Sequence, residues 1–123
     1  MASILVIDDS PTVFVSVKYA LGLDGHVVES VSSALALPAY LEDGHIDLIL
    51  LDLQMPTFSG FSIGALLLNY DKKSTPIVIY SARPELELLA VAKRIHATAV
   101  MEKTRPLSDL RALVGRLVGC VRQ

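Results

Sequence analysis

The chain has 123 residues, 52% of them hydrophobic, with a formal net charge of −2 and a single cysteine. The length suits one domain with a sizeable core, expected to span residues 1–123, and the charge offers no bulk attraction to nucleic acid or an anionic membrane. One thiol excludes an internal disulfide, no run reaches about 18 apolar residues, and Asp8 and Asp9 arrive too early for a leader peptide, so a cytoplasmic location is expected.

Ser3–Ile7 is an apolar, β-branched run that ends on Asp8-Asp9 and reads as the first strand. Ser10-Pro11 is a helix start, a hydroxyl N-cap followed by proline, and predicts a first helix over Val13–Leu23. After the Asp24-Gly25 turn, His26–Val31 reads as the second strand. Ser32 and Ser33 suit the cap of a second helix over Ala34–Glu42, with Pro38 inside it as a kink or a shortening. Asp47–Leu51 leads an apolar run onto Asp52, with Pro56 and Gly60 beyond; such a run, bounded by turn signals, predicts a third strand buried on both faces. A third helix is expected from Ser59-Gly60 to about Tyr70, and a fourth strand over Pro76–Tyr80 ending on Ser81. Arg83-Pro84 opens a fourth helix over Glu85–Ile95, acidic at its start and basic at its end, in line with the helix dipole. Ala97–Glu102 reads as a short fifth strand followed by Lys103. Ser108 is the expected cap of a fifth helix, whose apolar face is Leu110, Leu113, Val114, Leu117 and Val121.

Strand and helix alternate five times with short connections, which specifies an α/β fold: a parallel sheet with helices on both faces. In a doubly wound sheet the carboxyl ends of the strands converge on one rim. Taken singly, Asp8-Asp9 reads as a helix cap and Asp52 as a turn residue. Taken together, Asp8, Asp9, Asp52, Ser81 and Lys103 would share a small crevice. Clustered carboxylates repel one another, and an all-oxygen donor set with room for water suits Mg²⁺. A carboxylate in such a setting can act as a nucleophile toward phosphorus, where positioning and charge neutralisation do most of the work.

The pattern resembles the receiver domain of two-component response regulators, the chemotaxis-regulator-like family, over essentially the whole chain. The residues that carry the resemblance are Asp8-Asp9, Asp52-Leu53-Gln54-Met55-Pro56 with Gly60, Ser81-Ala82 and Lys103. It implies a three-layer, doubly wound, flavodoxin-like fold with five helices and strand order 2-1-3-4-5. It implies that Asp52 accepts phosphoryl from a phosphohistidine of a sensor histidine kinase or a histidine phosphotransfer protein. Asp9 and Asp52 would then ligate Mg²⁺, with Asp8 acting through water and the Gln54 carbonyl as a further ligand, while Ser81 and Lys103 hold phosphoryl oxygens. The implied output is a switch in binding of a downstream target or effector domain, at a face built from the fourth helix, fifth strand and fifth helix. That makes the chain a phosphoacceptor rather than a turnover enzyme, with no direct role for nucleic acid or membrane.

The sequence also departs from the family pattern. Lys103 is followed by Thr104, with proline delayed to Pro106, so a trans Lys103–Thr104 bond is expected. Val100 stands where the family places an aromatic switch residue, and His96 where it places a helix-ending glycine. These changes raise an alternative, a receiver-like interaction module that signals by phosphorylation-independent binding. An oxidoreductase reading lacks a G-x-G-x-x-G after the first strand. A phosphatase reading lacks a general acid soon after Asp52, since Gln54 cannot serve as one.

His26, His45 and His96 have no metal-ligand spacing and read as surface or packing residues, Lys72-Lys73 as a solvated loop, Cys120 as packing and Tyr80 as core. The fourth helix is apolar nearly all round, which leaves either a partner surface or a thick core. The exposure of Leu88 and Val91 is the expected discriminator.

Overall fold

The computed structural model describes residues 2–31, 39, 46–53 and 75–121. In chain order these form β1 (Ser3–Ile7), α1 (Pro11–Gly22), β2 (Val27–Val31), β3 (Leu48–Leu51), β4 (Ile77–Ser81), α2 (Glu85–Ile95), β5 (Ala99–Glu102) and α3 (Leu107–Val121). Here α2 and α3 are the fourth and fifth helices expected from the sequence. Of the expected second helix only Ala39 is described, and it is helical; the expected third helix lies outside the described residues, together with Ser32, Ser33, Pro38, His45, Gln54, Pro56, Gly60 and Lys72-Lys73. Three of the five expected helices are therefore observed among the described residues.

The five strands form one parallel sheet in the order β2-β1-β3-β4-β5. The central strands are continuous apolar runs because both of their faces are covered. Alternation sends Leu5, Ile7, Ile49, Leu51, Ile77 and Ile79 to the side where Leu88 and Ile95 of α2 pack. Ile4, Val6, Leu48, Leu50, Val78 and Tyr80 go to the other side, against α1 and α3. Each fully buried Leu or Ile contributes about 1.5–3 kcal/mol of transfer free energy, so the register of the central strands is firmly set.

The element ends show why the boundaries differ from those expected. Ser10 caps α1 by accepting from the Val13 N–H at 3.3 Å, and the helix begins at Pro11, because the proline ring presets the helical φ. The Asp24-Gly25 turn falls as expected, with Gly25 at φ 83°, a region glycine enters without a Cβ penalty. β4 runs one residue further than expected, to Ser81; Pro76 has no N–H, but its carbonyl accepts from the Ile49 N–H at 3.0 Å. β5 is shorter than expected. His96 ends α2 in the left-handed region (φ 59°) and the Ala97 N–H turns back to the Ala92 carbonyl, so Ala97 belongs to the helix exit, while the Thr98 N–H already donates to the Ile77 carbonyl of β4 at 2.7 Å. Ser108 is not the cap of α3. The helix starts at Leu107, after Pro106, whose carbonyl accepts from the Asp109 N–H at 2.9 Å.

Candidate functional site

Ladder hydrogen bonds continue one residue past three of the strand ends and fix the rim of the sheet. The Asp8 N–H donates to the Val31 carbonyl at 3.3 Å, the Asp52 N–H to Ile7 at 3.0 Å and the Lys103 N–H to Ser81 at 2.7 Å. The parallel register therefore brings together residues 95 positions apart in sequence. One carboxylate oxygen from each of Asp8, Asp9 and Asp52 lies within 4.8 Å of the others. Asp8 and Asp52 are buried and Asp9 is exposed, so the cluster opens to solvent on one side.

Lys103 stands among these acids. Its ammonium is 2.7 Å from Asp8 Oδ2 and 3.4 Å from Asp52 Oδ2. Asp8 Oδ1 accepts from the Ser10 N–H at 2.9 Å, so the loop into α1 fixes one oxygen while Lys103 takes the other. Burial alone pulls the Lys103 pKa down and is the largest single influence. The Asp8 hydrogen bond and the charges of Asp52 and Asp8 together outweigh it, and the pKa stands above the ordinary 10.5.

Ser81 is fully buried at the end of β4. Its Oγ accepts from the Arg83 N–H at 3.4 Å. Tyr80, the preceding residue, points to the opposite face and joins the α1–α3 core, as expected for adjacent strand positions. Burial raises its phenol pKa, with Asp8 adding to the rise and Lys103 opposing it.

Among the described residues the cluster has one ammonium for three carboxylates, a formal excess of negative charge. An oxygen-only donor set, two members buried and one facing water, fits a hard cation that retains some of its hydration, as Mg²⁺ does. Gln54 lies outside the described residues. Every described peptide bond is trans, including Lys103–Thr104, and the ammonium still reaches both Asp8 and Asp52. Val100 is half-buried and packs on the α2 side of the sheet.

Away from the rim, the two residues set to discriminate a partner surface from a thick core fall on the core side. Leu88 is fully buried and Val91 packs against the core, because both lie on the stripe of α2 that faces the sheet. The exposed large apolar residues of α2 are Leu86 and Leu89, 82% and 46% exposed. One residue near the site has no signature in the sequence. Glu102 accepts from the Glu85 N–H at 3.2 Å, capping α2 from β5. No local motif marks this contact, since the partners are 17 residues apart.

Residues 4–115 match the family described as the response regulator receiver domain. The chain belongs to that family. It is 31% identical over 80 residues to the transcriptional regulatory protein TcrA of Mycobacterium tuberculosis, covering 65% of this chain and 31% of TcrA. The chain thus spans about a third of that relative's length. The chemotaxis protein CheY4 of Vibrio cholerae superposes with a TM-score of 0.83 at 26% identity, covering 95% of this chain and 98% of CheY4. The response regulator TrrA of Thermotoga maritima, solved in complex with Mg²⁺ and beryllofluoride, superposes with a TM-score of 0.81 at 24% identity, over 95% of this chain and 99% of TrrA. Receiver domains are signalling domains of two-component systems rather than turnover enzymes, and phosphorylation and Mg²⁺ use are general properties of the family. Among the described residues, no helix is long and apolar enough to cross a membrane.

Proposed function

We propose that this receiver domain, spanning residues 1–123, accepts a phosphoryl group on Asp52. The observation that carries this reading is the cluster itself: three carboxylate oxygens within 4.8 Å, with the Lys103 ammonium 3.4 Å from Asp52. A carboxylate oxygen of Asp52 attacks phosphorus as the phosphorus–nitrogen bond of a phosphohistidine breaks, and the imidazole nitrogen keeps the electron pair. Mg²⁺, when bound by Asp9 and Asp52, by Asp8 through water and by the Gln54 carbonyl, supplies charge neutralisation for the incoming phosphoryl oxygens. Lys103 and the Ser81 hydroxyl hold those oxygens. Anchoring of Asp8, Asp52 and Lys103 by ladder hydrogen bonds keeps the groups pre-positioned.

The phosphoryl donor in this reading is a sensor histidine kinase or a histidine phosphotransfer protein in the cytoplasm. The output is a change in binding of a downstream target or effector domain at the face formed by α2, β5 and α3, where Leu86 and Leu89 are exposed. The test is incubation with Mg²⁺ and acetyl phosphate, then a phosphate-affinity gel. A retarded band that disappears in Asp52→Asn is expected. No retarded band in the wild-type protein would sink the phosphoacceptor reading and leave a module that binds its partner without phosphorylation.

A further inference from the structure

We propose that Glu102 couples the rim of the sheet to the exposed face of α2, a role that rests on Asp52 being the phosphoacceptor. Glu102 is the ladder partner of Ser81 and the immediate neighbour of Lys103. Strand alternation puts Glu102 on the same side of β5 as Val100, the side on which α2 packs. Its carboxylate takes the first backbone N–H of α2, that of Glu85, at 3.2 Å.

Capping accounts for part of that position, but charge at the helix start does not. The cap residue Pro84 brings no side-chain acceptor, but Glu85 and Glu87 already supply negative charge to the first turn of α2. A third carboxylate adds like-charge repulsion there, offset in part by the exposed Arg83–Glu87 pair at 3.7 Å. What Glu102 adds is a connection. The Lys103 N–H is bonded to the Ser81 carbonyl at 2.7 Å, so the ends of β4 and β5 move together. Two ties then run from this joined end to the start of α2: the Ser81 hydroxyl to the Arg83 N–H, and the Glu102 carboxylate to the Glu85 N–H.

A phosphoryl group that engages Ser81 and Lys103 acts on both ties at once. It draws the Ser81 hydroxyl from the Arg83 N–H, and any shift of Lys103 carries Glu102 with it. Leu86, 82% exposed, lies in the turn that these ties hold, and Leu89 lies in the next.

The test is amide hydrogen exchange across Glu85–Leu89, with and without Mg²⁺ and beryllofluoride, in wild type, Glu102→Ala and Glu102→Gln. Beryllofluoride binding is read separately by fluorine-19 NMR. In the wild type, binding changes exchange in this turn. In Glu102→Ala, the unliganded Glu85 amide exchanges about fivefold faster, as loss of one cap implies. Beryllofluoride still binds to this variant, and the response of α2 is lost. Glu102→Gln keeps an acceptor oxygen and restores the response. A Glu102→Ala protein that responds like the wild type overturns the coupling. So does a wild type that binds beryllofluoride with no change in α2, an outcome that leaves the Asp52 reading standing. A wild type that does not bind it overturns both.

Discussion

Replacing Lys103 by methionine keeps the aliphatic stem and removes the charge, which isolates what the ammonium does among the acids. At 2.7 Å from Asp8 and 3.4 Å from Asp52, each attraction is about 5–6 kcal/mol at an effective dielectric constant of about 20. Desolvating the ammonium returns several kcal/mol of that sum. The carboxylates lose more than an attraction: Asp8 and Asp52 stay buried at 5% and 4% exposure, still facing each other and Asp9. Removing one partner from a buried pair costs about 3–5 kcal/mol, and the partial exposure of Lys103, 18%, puts this case at the lower end, about 3 kcal/mol.

The pH dependence is set by the raised Lys103 pKa. A group whose pKa is higher in the folded state contributes stability that is complete below its unfolded value and is lost as pH rises through its folded value. The gap between wild type and Lys103→Met should therefore be constant from about pH 7 to 9 and should close above the ordinary 10.5. Urea unfolding followed by circular dichroism in metal-free buffer measures it, with the midpoint compared at equal slope. A variant within about 0.5 kcal/mol of wild type at pH 7, or a gap that widens above pH 10.5, would refute the counter-ion role.

The two sides of α2 predict opposite outcomes. Leu88→Ala empties a fully buried site and should cost about 3 kcal/mol in urea unfolding, while Leu86→Ala, at an 82% exposed position, should leave the midpoint unchanged. His96 holds a left-handed conformation (φ 59°) with a side chain present, so His96→Gly should raise stability by up to about 1 kcal/mol; a lower melting temperature would show that the histidine side chain makes a compensating contact.

The alternation of strands and helices and the rim residues were legible because they rest on strong, short-range signals, whereas the order of the strands in the sheet followed only from the family resemblance. Apolar runs ending on Asp8, Asp52 and Ser81 put buried polar groups at the strand ends, where partners must be supplied, so the chemistry had to fall there. Capping was legible where the motif is local, as with Ser10-Pro11, and illegible where the acceptor is remote. Nothing near Leu107 distinguishes Ser108 as a first-turn residue from Ser108 as a cap; the proline before the helix decides it. The buried stripe of α2 was illegible too, because in a helix that is apolar nearly all round, periodicity does not say which side faces the sheet. Only the packing of Leu88 and Ile95 into the core on this side of the sheet, where α2 lies against β5 and β4, fixes the rotation that leaves Leu86 outside.

The Lys103 loop obeys the same logic. Departure from the family pattern at Thr104 suggests a changed path for the chain, yet the ammonium reaches its two acids. The ladder explains why. Lys103 is held by its own N–H to Ser81, one step beyond the β4–β5 register, before the chain reaches Thr104. Its position is set by sheet pairing upstream of the substituted residues. The residues after Lys103 are then free to differ, as the Thr104-Arg105-Pro106 segment does. The residue before it is not: a change at Glu102 alters the tie to α2 while leaving Lys103 anchored, so reach and coupling are separable properties of two adjacent residues.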